Sequence, residues 1–510
     1  MKKTLLLMAS TALMMPAAAQ QYVMVDGELP IVATDIAQIT YEEDADFENQ
    51  MMPGRIASDP KLTLFSQALQ LTGLADTLKT YWYPDYEGKM ERYYYVSYVW
   101  REVARYNGRR YRNFTVFAET DDVFAAQGIT NIEQLKAYAK QVYDAVYPED
   151  AAVSNPTDRR NSLNRFVAYH MLGHGADYWY LTFYDGDQTW RFVDINLTDI
   201  ATWYSTLMPH AALKCSYPFA GDDSGLYLNR RGLKDGPDKY GVQVRGAKIV
   251  ADAAAGGFSH PAFNGYYYHI DRILTYDEST RDKVLGGERW RVDFKALSPD
   301  ILNNSPELRG RYWVDGSSST YDESEVNGRN IVYAWDAMEN VWGDMTLSSV
   351  GLIHRRAHSN FWSWQGDEVN IIGNFDMTIK LPPLPVGEWE LRLSNCAMGT
   401  NQPLKVFLND VEIIDSLDMN RQYSETAQPK LLRGPRECTH FNSNSLTQYR
   451  FSDQDRLTRI VLGRLQSDGK TDNYLRLMPV RFNLGNPFTV LDYLEFCPKS
   501  IVDNEEIPEE

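Results

Sequence analysis

The stretch Phe114 to Phe124, F-T-V-F-A-E-T-D-D-V-F, constrains this chain more than any other. Phe114 and Val116 read as a short apolar strand that runs into a polar turn, and the turn opens a helix. Side-chain oxygens of Glu119, Thr120, Asp121 and Asp122 are expected to cap the first free N–H groups of that helix. Two later stretches answer it: L-N-R-F-V-A-Y-H-M-L at 163–172 and N-G-Y-Y-Y-H-I-D-R-I-L at 264–274. Strand, helix and late strand here, followed by an all-β half, predict an α+β chain whose N-terminal part is α/β.

With 510 residues the chain has room for roughly three domains of about 150 residues each. A formal charge of −18 argues against a nucleic-acid partner, which needs clustered Lys and Arg. The aromatic share of 13% is more informative, because Tyr and Trp build contact surfaces as well as cores. Lys2 and Lys3, the apolar run Thr4 to Met15 and Ala17-Ala18-Ala19 read as a signal peptide over 1–19. Its removal takes two lysines and moves the charge from −18 to −20. No later apolar run is long enough to span a bilayer, so the expected product is exported: periplasmic, at the outer cell surface, or secreted. Cys215, Cys396, Cys438 and Cys497 allow three pairings if export oxidises them. Buried thiols are the simpler reading.

Residues 20–57 read as an acidic, extended lead-in. A helix is then expected with Asp59 as its N-cap, Pro60 in its first turn and Gly73 as its stop. Residues 80–113 are rich in Tyr and Arg. Tyr94 to Arg101 alternates as a strand, and Asn107-Gly108 signals a hairpin turn. That segment is either a hairpin packed on the domain or a contact surface. Thr130 and Glu133 predict a capping box for a helix to about Tyr147. Leu163, Phe166, Val167, His170 and Met171 share one helical face, which turns His170 inward. Trp179 to Tyr184 and Gln188 to Val193 read as a hairpin. A boundary is expected near 280, followed by a connecting region over 281–345 that is partly strand. Residues 346–502 read as all-β, an antiparallel sandwich or jelly roll. Phe375, Met377, Ile379 and Leu381 alternate with polar residues, as do Trp389, Leu391 and Leu393 with Glu388, Glu390 and Arg392. Residues 503–510 form an acidic tail.

The three ordered stretches resemble the blocks of a fasciclin-like domain, covering 58–280 with 80–113 as an aromatic-rich insertion. Thr115 to Phe124 is similar to the first block, although Glu119 stands where the family often has Pro. Tyr169-His170 is similar to the Tyr-His pair of the second block. Asn264-Gly265 and His269-Ile270-Asp271 are similar to the closing block. The resemblance implies an extracellular adhesion domain that binds proteins or glycans and generally lacks a catalytic centre. In animal relatives the Tyr-His pair is tied to receptor contact, whereas the helical phase here gives His170 an internal hydrogen bond. The segment L-P-P-L-P-V-G-E-W-E-L-R-L at 381–393 resembles the edge hairpin of galactose-binding-like β-sandwiches.

Catalytic and cofactor motifs are missing from the sequence: no G-x-S-x-G, no H-E-x-x-H and no phosphate-cradling glycine loop. His170/His174 and His354/His358 have the i, i+4 spacing of a helical metal pair, but no acid stands at a diagnostic position. No cofactor and no metal are expected. The leading expectation is an exported cell-envelope adhesion or binding protein that recognises a glycan or a cell-surface protein without catalysis. Its candidate contacts are Tyr83, Tyr86, Tyr95, Trp100, Arg110, Tyr169, His170, Trp362 and Trp364. Trp362 and Trp364 serve equally well as core. A glycan hydrolase with an accessory domain is the rival, since two carboxylates set apart in space suffice for it. A structural component of a surface assembly is the third reading. Oligomeric state is left open.

Overall fold

The computed structural model describes residues 47–82, 112–178, 200–218, 224–232, 240–297, 367–396, 402–433, 457–480 and 488–503, apart from isolated positions within them, and a few shorter pieces. For the strands at 22–23, 31–32, 91–96, 100–106, 330–334, 345–356, 362–363, 439–442 and 447–449 the description is of backbone alone. Residues 1–48 and 49–510 are separate compact units. In the first, Tyr22–Val23 pairs antiparallel with Ile31–Val32. The fold is mixed α/β and rich in antiparallel sheet. No helix among the described residues is long and apolar enough to cross a membrane.

The three signature stretches meet in one sheet. Its strand order is His260–Ala262, Gly265–Ile270, Phe114–Glu119, Met171–Leu172. Phe114–Glu119 lies parallel to Gly265–Ile270, in register Gly265↔Phe114 to Ile270↔Glu119. All six residues of Phe114–Glu119 are buried, as expected where a parallel pair is covered on both faces.

The helices around this sheet start at other places than the sequence implies. The acidic lead-in ends in a helix, Met52–Ser58, with Pro53 in its first turn. Asp59 closes that helix instead of opening the next, which runs Thr63–Leu71. Its carboxylate is occupied elsewhere, by the Lys61 amide at 3.0 Å and by His269 at 2.8 Å. The Thr63 helix takes its cap from Asp121, which accepts from the Thr63 and Leu64 amides at 3.2 and 2.9 Å. Hence Asp121 does not cap its own helix, Asp121–Ala125, where Thr120 makes no side-chain cap bond. Gly73 does end the Thr63 helix region in the left-handed conformation, φ 69°. The capping box at Ile132–Val146 is shifted by one residue. Asn131 accepts from the Gln134 amide at 3.0 Å, and the Gln134 side chain accepts from the Thr130 amide at 2.8 Å.

Asn264 fastens these helices to the sheet. Its Oδ1 accepts from the Met52 amide at 3.0 Å, one of the free donors at a helix start. Its Nδ2 donates to the carbonyls of Leu78 and Thr80 at 2.7 and 3.0 Å, at the end of the helix Leu74–Leu78.

A second sheet follows, ordered Ala247–Lys248, Tyr227–Leu228, Ala212–Tyr217, Ile200–Ser205. Cys215 lies in it as a buried thiol, and burial pushes its pKa well up. Cys497 is likewise a buried thiol. Native protein is therefore expected to leave Cys215 unreactive toward Ellman's reagent, with labelling of that residue, read by peptide mass mapping, gained only on unfolding.

The expected hairpin at 80–113 is present in backbone, Glu91–Val96 against Trp100–Tyr106. Val96 pairs with Trp100, so the reversal comes before Asn107-Gly108. Tyr94 and Trp100 thus stand on opposite strands and not on one continuous strand. The expected hairpin over 179–193 lies outside the described residues.

Towards the C-terminus two antiparallel sheets bury alternate residues. One is ordered Trp290–Asp293, Tyr493–Pro498, Gly387–Cys396, Leu457–Ser467, Leu431–Arg433. The other contains Asp367–Lys380, Tyr474–Pro479 and Leu404–Leu408. Phe375, Met377, Ile379, Trp389, Leu391, Leu393, Leu475 and Leu477 are all buried in one apolar cluster. Alternation fails on the polar side of Gly387–Cys396, where Glu390 and Arg392 are buried too. They belong to an ion network. Arg392 donates to Glu390 at 2.8 Å and to Glu495 at 2.7 Å, and Glu495 also accepts from Arg291 and Arg459 at 3.0 Å.

Three indoles form a column through this region. Trp203 and Trp290 stack with centroids 6.0 Å apart at 10°, and Trp290 meets Trp389 edge-on at 5.6 Å and 68°. Trp290 and Trp389 place their N–H groups on the carbonyls of Leu285 and Pro385, at 2.8 and 2.9 Å. Buried indoles with a satisfied N–H anchor their surroundings.

Candidate binding cleft

A cleft of about 260 Å³ opens at one end of the tryptophan column. Three segments form it: the loop between Ile200–Ser205 and Ala212–Tyr217, the stretch from Val292 to Leu297, and the turn after Lys380 with the neighbouring Asp472. Its apolar floor is Trp203, Met208, Val292, Leu297 and Leu381, all buried. Thr206 and Ala211 close the first loop: the Thr206 amide and hydroxyl donate to the Ala211 carbonyl at 3.0 and 2.9 Å. The tight closure places His210 at φ 55°, a conformation that costs energy for a residue with a Cβ.

The rim of the cleft is polar. Asp472 takes the Lys380 ammonium at 3.1 Å on one oxygen and faces His210 Nδ1 at 3.3 Å with the other. All three side chains are about one-third exposed, so each can reach a ligand. The set offers carboxylate acceptors and ammonium and imidazole groups above an apolar base. Such a mixture suits a molecule with hydroxyl groups on one side and C–H groups on the other.

A second polar cluster surrounds His269. Asp59 accepts from His269 Nε2 at 2.8 Å, from the Tyr267 hydroxyl at 3.2 Å and from the Lys61 amide at 3.0 Å. Asp252 accepts from Lys61 Nζ at 2.9 Å and from the Ala254 amide at 3.0 Å. The His260 ring stacks on Tyr267 with centroids 4.5 Å apart. Burial is the main cause that pushes the His260 imidazole down to about 4. Burial would raise Asp59, but the Lys61 amide, His269 and Tyr267 outweigh it and hold the carboxyl below its usual range.

The residues singled out from the sequence fall in different places. Tyr169 and His170 are fully buried. The Tyr169 hydroxyl donates to the Ala212 carbonyl at 3.0 Å and accepts from Asn229 Nδ2 at 2.8 Å. His170 ends the helix Ser162–Tyr169; its Nδ1 donates to the Phe166 carbonyl at 2.7 Å and its Nε2 meets Glu119 at 2.8 Å. Glu119 also accepts from the Leu274 amide at 2.8 Å, so it ties all three signature stretches together. His174 lies beyond the end of that helix with its ring against Tyr204, so the i, i+4 geometry with His170 is not formed. His354 lies on a strand, where that spacing loses its meaning, and His358 is outside the described residues. For Tyr95, Trp100 and Trp362 only the strand backbone is described. Tyr83, Tyr86, Arg110 and Trp364 lie outside the described residues. Trp203, His210, Lys380 and Asp472 were missed by motif reading. Their only local signals are the Pro209-His210 and Pro382-Pro383 turns.

No protein-family model matches the chain. No curated protein matches it. Among solved structures, the native structure of a family 35 carbohydrate binding module from Clostridium thermocellum is similar at 12% identity and TM-score 0.17, over 33% of this chain and 96% of that one. The Podospora anserina GH26-CBM35 beta-(1,4)-mannanase is similar at 11% identity and TM-score 0.18, over 34% and 28%. The insecticidal crystal protein Cry2Aa is similar at 11% identity and TM-score 0.19, over 74% and 69%. Likenesses of this size establish neither fold family nor function.

Proposed function

We propose that this chain is an exported cell-envelope binding protein that recognises a glycan in the cleft between Trp203 and Asp472, without a covalent step. The observation that carries this reading is the cleft itself: an apolar floor, with Asp472, Lys380 and His210 on its rim. At about 260 Å³ it lies just under the roughly 300–1,000 Å³ of small-molecule sites, a size for the end of a glycan. A hydrolase takes two carboxylates, and among the described residues the lining offers one, Asp472. Under this proposal 1–19 is a signal peptide, 20–57 a lead-in, 58–280 a fasciclin-like adhesion unit and 346–502 a β-sandwich, joined through 281–345. The aromatic residues Tyr83, Tyr86, Tyr95, Trp100, Trp362 and Trp364, with Arg110, extend recognition beyond the cleft.

The test is a glycan panel with the full mature chain, scoring binding and turnover in the same wells. Asp472→Ala is expected to weaken the selected glycan roughly 10–100-fold, the worth of a hydrogen bond to a charged group. His210→Ala is expected to weaken it less. Product release would make the protein a hydrolase. Binding that survives Asp472→Ala and is lost in Trp100→Ala or Trp362→Ala would move recognition out of the cleft.

A further inference from the structure

The cluster around His269 is built for more than its own hydrogen bonds. Asp59, Asp252, His260 and His269 each bring a ligand atom within 4.8 Å of the others. Strand alternation puts Tyr267 and His269 on one face of Gly265–Ile270, and the pairing His260↔Tyr267 brings His260 beside them. Asp252 arrives from the turn that opens the short helix Ala253–Ala255, and Asp59 from the end of Met52–Ser58. All four side chains are at least nine-tenths buried. Two separations are informative. Asp252 Oδ2 is 3.5 Å from His269 Nδ1 and 3.7 Å from His260 Nε2. Both exceed an ordinary hydrogen bond. They are close to the ~3.4 Å edge of a tetrahedron of ligands around zinc with bonds of ~2.1 Å. His260 Nε2 has no hydrogen-bond partner although its side chain is only 8% exposed. A buried ring nitrogen left unpaired costs free energy unless something fills the place.

We propose that Asp252 Oδ2, His260 Nε2 and His269 Nδ1 bind a divalent cation of the zinc class, with Asp59 orienting His269 through Nε2. The Asp59–His269 bond is the outer-shell carboxylate that metal-binding histidines commonly have, itself fixed by Tyr267 and the Lys61 amide. Imidazole and carboxylate donors suit zinc and its neighbours better than calcium or magnesium. Lys61 is the one cation paired with the cluster among the described residues, through Asp252 Oδ1. Two carboxylates against one ammonium leave a negative charge for a cation to neutralise. Three protein ligands leave a coordination position for water or an outside group. The site is distinct from the cleft and does not rest on the glycan reading.

Calorimetric titration of the chelator-treated full chain with ZnCl2 is expected to show one equivalent bound, and CoCl2 is expected to give a tetrahedral visible spectrum. His260→Ala should abolish the stoichiometric event. Asp59→Asn should weaken it about 10–100-fold, the usual loss for an outer-shell partner. Lys61→Met should tighten it, because it removes a competing cation from Asp252; a merely structural cluster predicts no such gain. Circular dichroism identifies variants that do not fold, and the isosteric Asp252→Asn then takes the place of His260→Ala. The site is overturned if the chain takes up no equivalent of Zn2+, or if binding is unchanged in the folded His260→Ala or Asp252→Asn protein.

Discussion

Gly265→Ala is expected to cost at least about 4 kcal/mol, the range in which single substitutions unfold a domain. Gly265 sits at φ +135°, where a side chain is strained. A Cβ there would lie 1.9 Å from the Phe114 carbonyl oxygen and 2.9 Å from the Phe114 carbonyl carbon and nitrogen. Backbone at the start of a parallel strand pair cannot step aside without breaking the register Gly265↔Phe114. Asn264, next in the chain, would lose its three bonds to the helices at the same time. Urea unfolding followed by circular dichroism measures the effect. A midpoint near that of the unchanged protein would mean that the strands can part at little cost.

Glu495→Gln is expected to cost about 3–5 kcal/mol at neutral pH, as when one partner is taken from a buried ion pair. Burial alone would push the Glu495 carboxyl up, but the guanidiniums of Arg459, Arg289, Arg291 and Arg392 outweigh it and hold it well below its usual value. A carboxyl depressed in the folded state stabilises fully above its unfolded pKa of about 4.3. That stability is lost as pH falls through the folded value. The gap between the two proteins should therefore be constant near neutrality and shrink below about pH 4.3. Denaturant midpoints measured from pH 7 downward check both the size and the slope. A gap that stays constant through the acid range would show that the arginines are neutralised by something other than Glu495.

Alternation made the C-terminal strands legible, because Phe375, Met377, Ile379, Trp389 and Leu391 obey a period of two and all are buried. The same rule sent Glu390 and Arg392 outward. Their burial depends on Glu495, 103 residues beyond Arg392, and no local pattern reports a partner that far away. Caps failed in the same manner. Asp59 and Asp121 each have the right residue type for the nearest helix, yet Asp59 serves His269, 210 residues on, and Asp121 serves the helix at Thr63. The three signature stretches were legible because each carries its own strand or helix pattern; Glu119, which joins them, looked only like a turn residue. The cleft and the His269 cluster were invisible for one reason. Each is assembled from single residues on distant strands, turns and helix ends, unremarkable in sequence and brought together only by the sheets.

The column Trp203–Trp290–Trp389 gives the molecule an optical signature of its own. Indoles this close are expected to couple through their strong far-ultraviolet transitions, and the 68° inclination of Trp290 to Trp389 is expected to make that coupling visible as a circular-dichroism couplet. Trp203 stands at the cleft end of the column. A sugar ring settling there would alter the polarisability around the first chromophore of a coupled set, and the couplet would change without any label on ligand or protein.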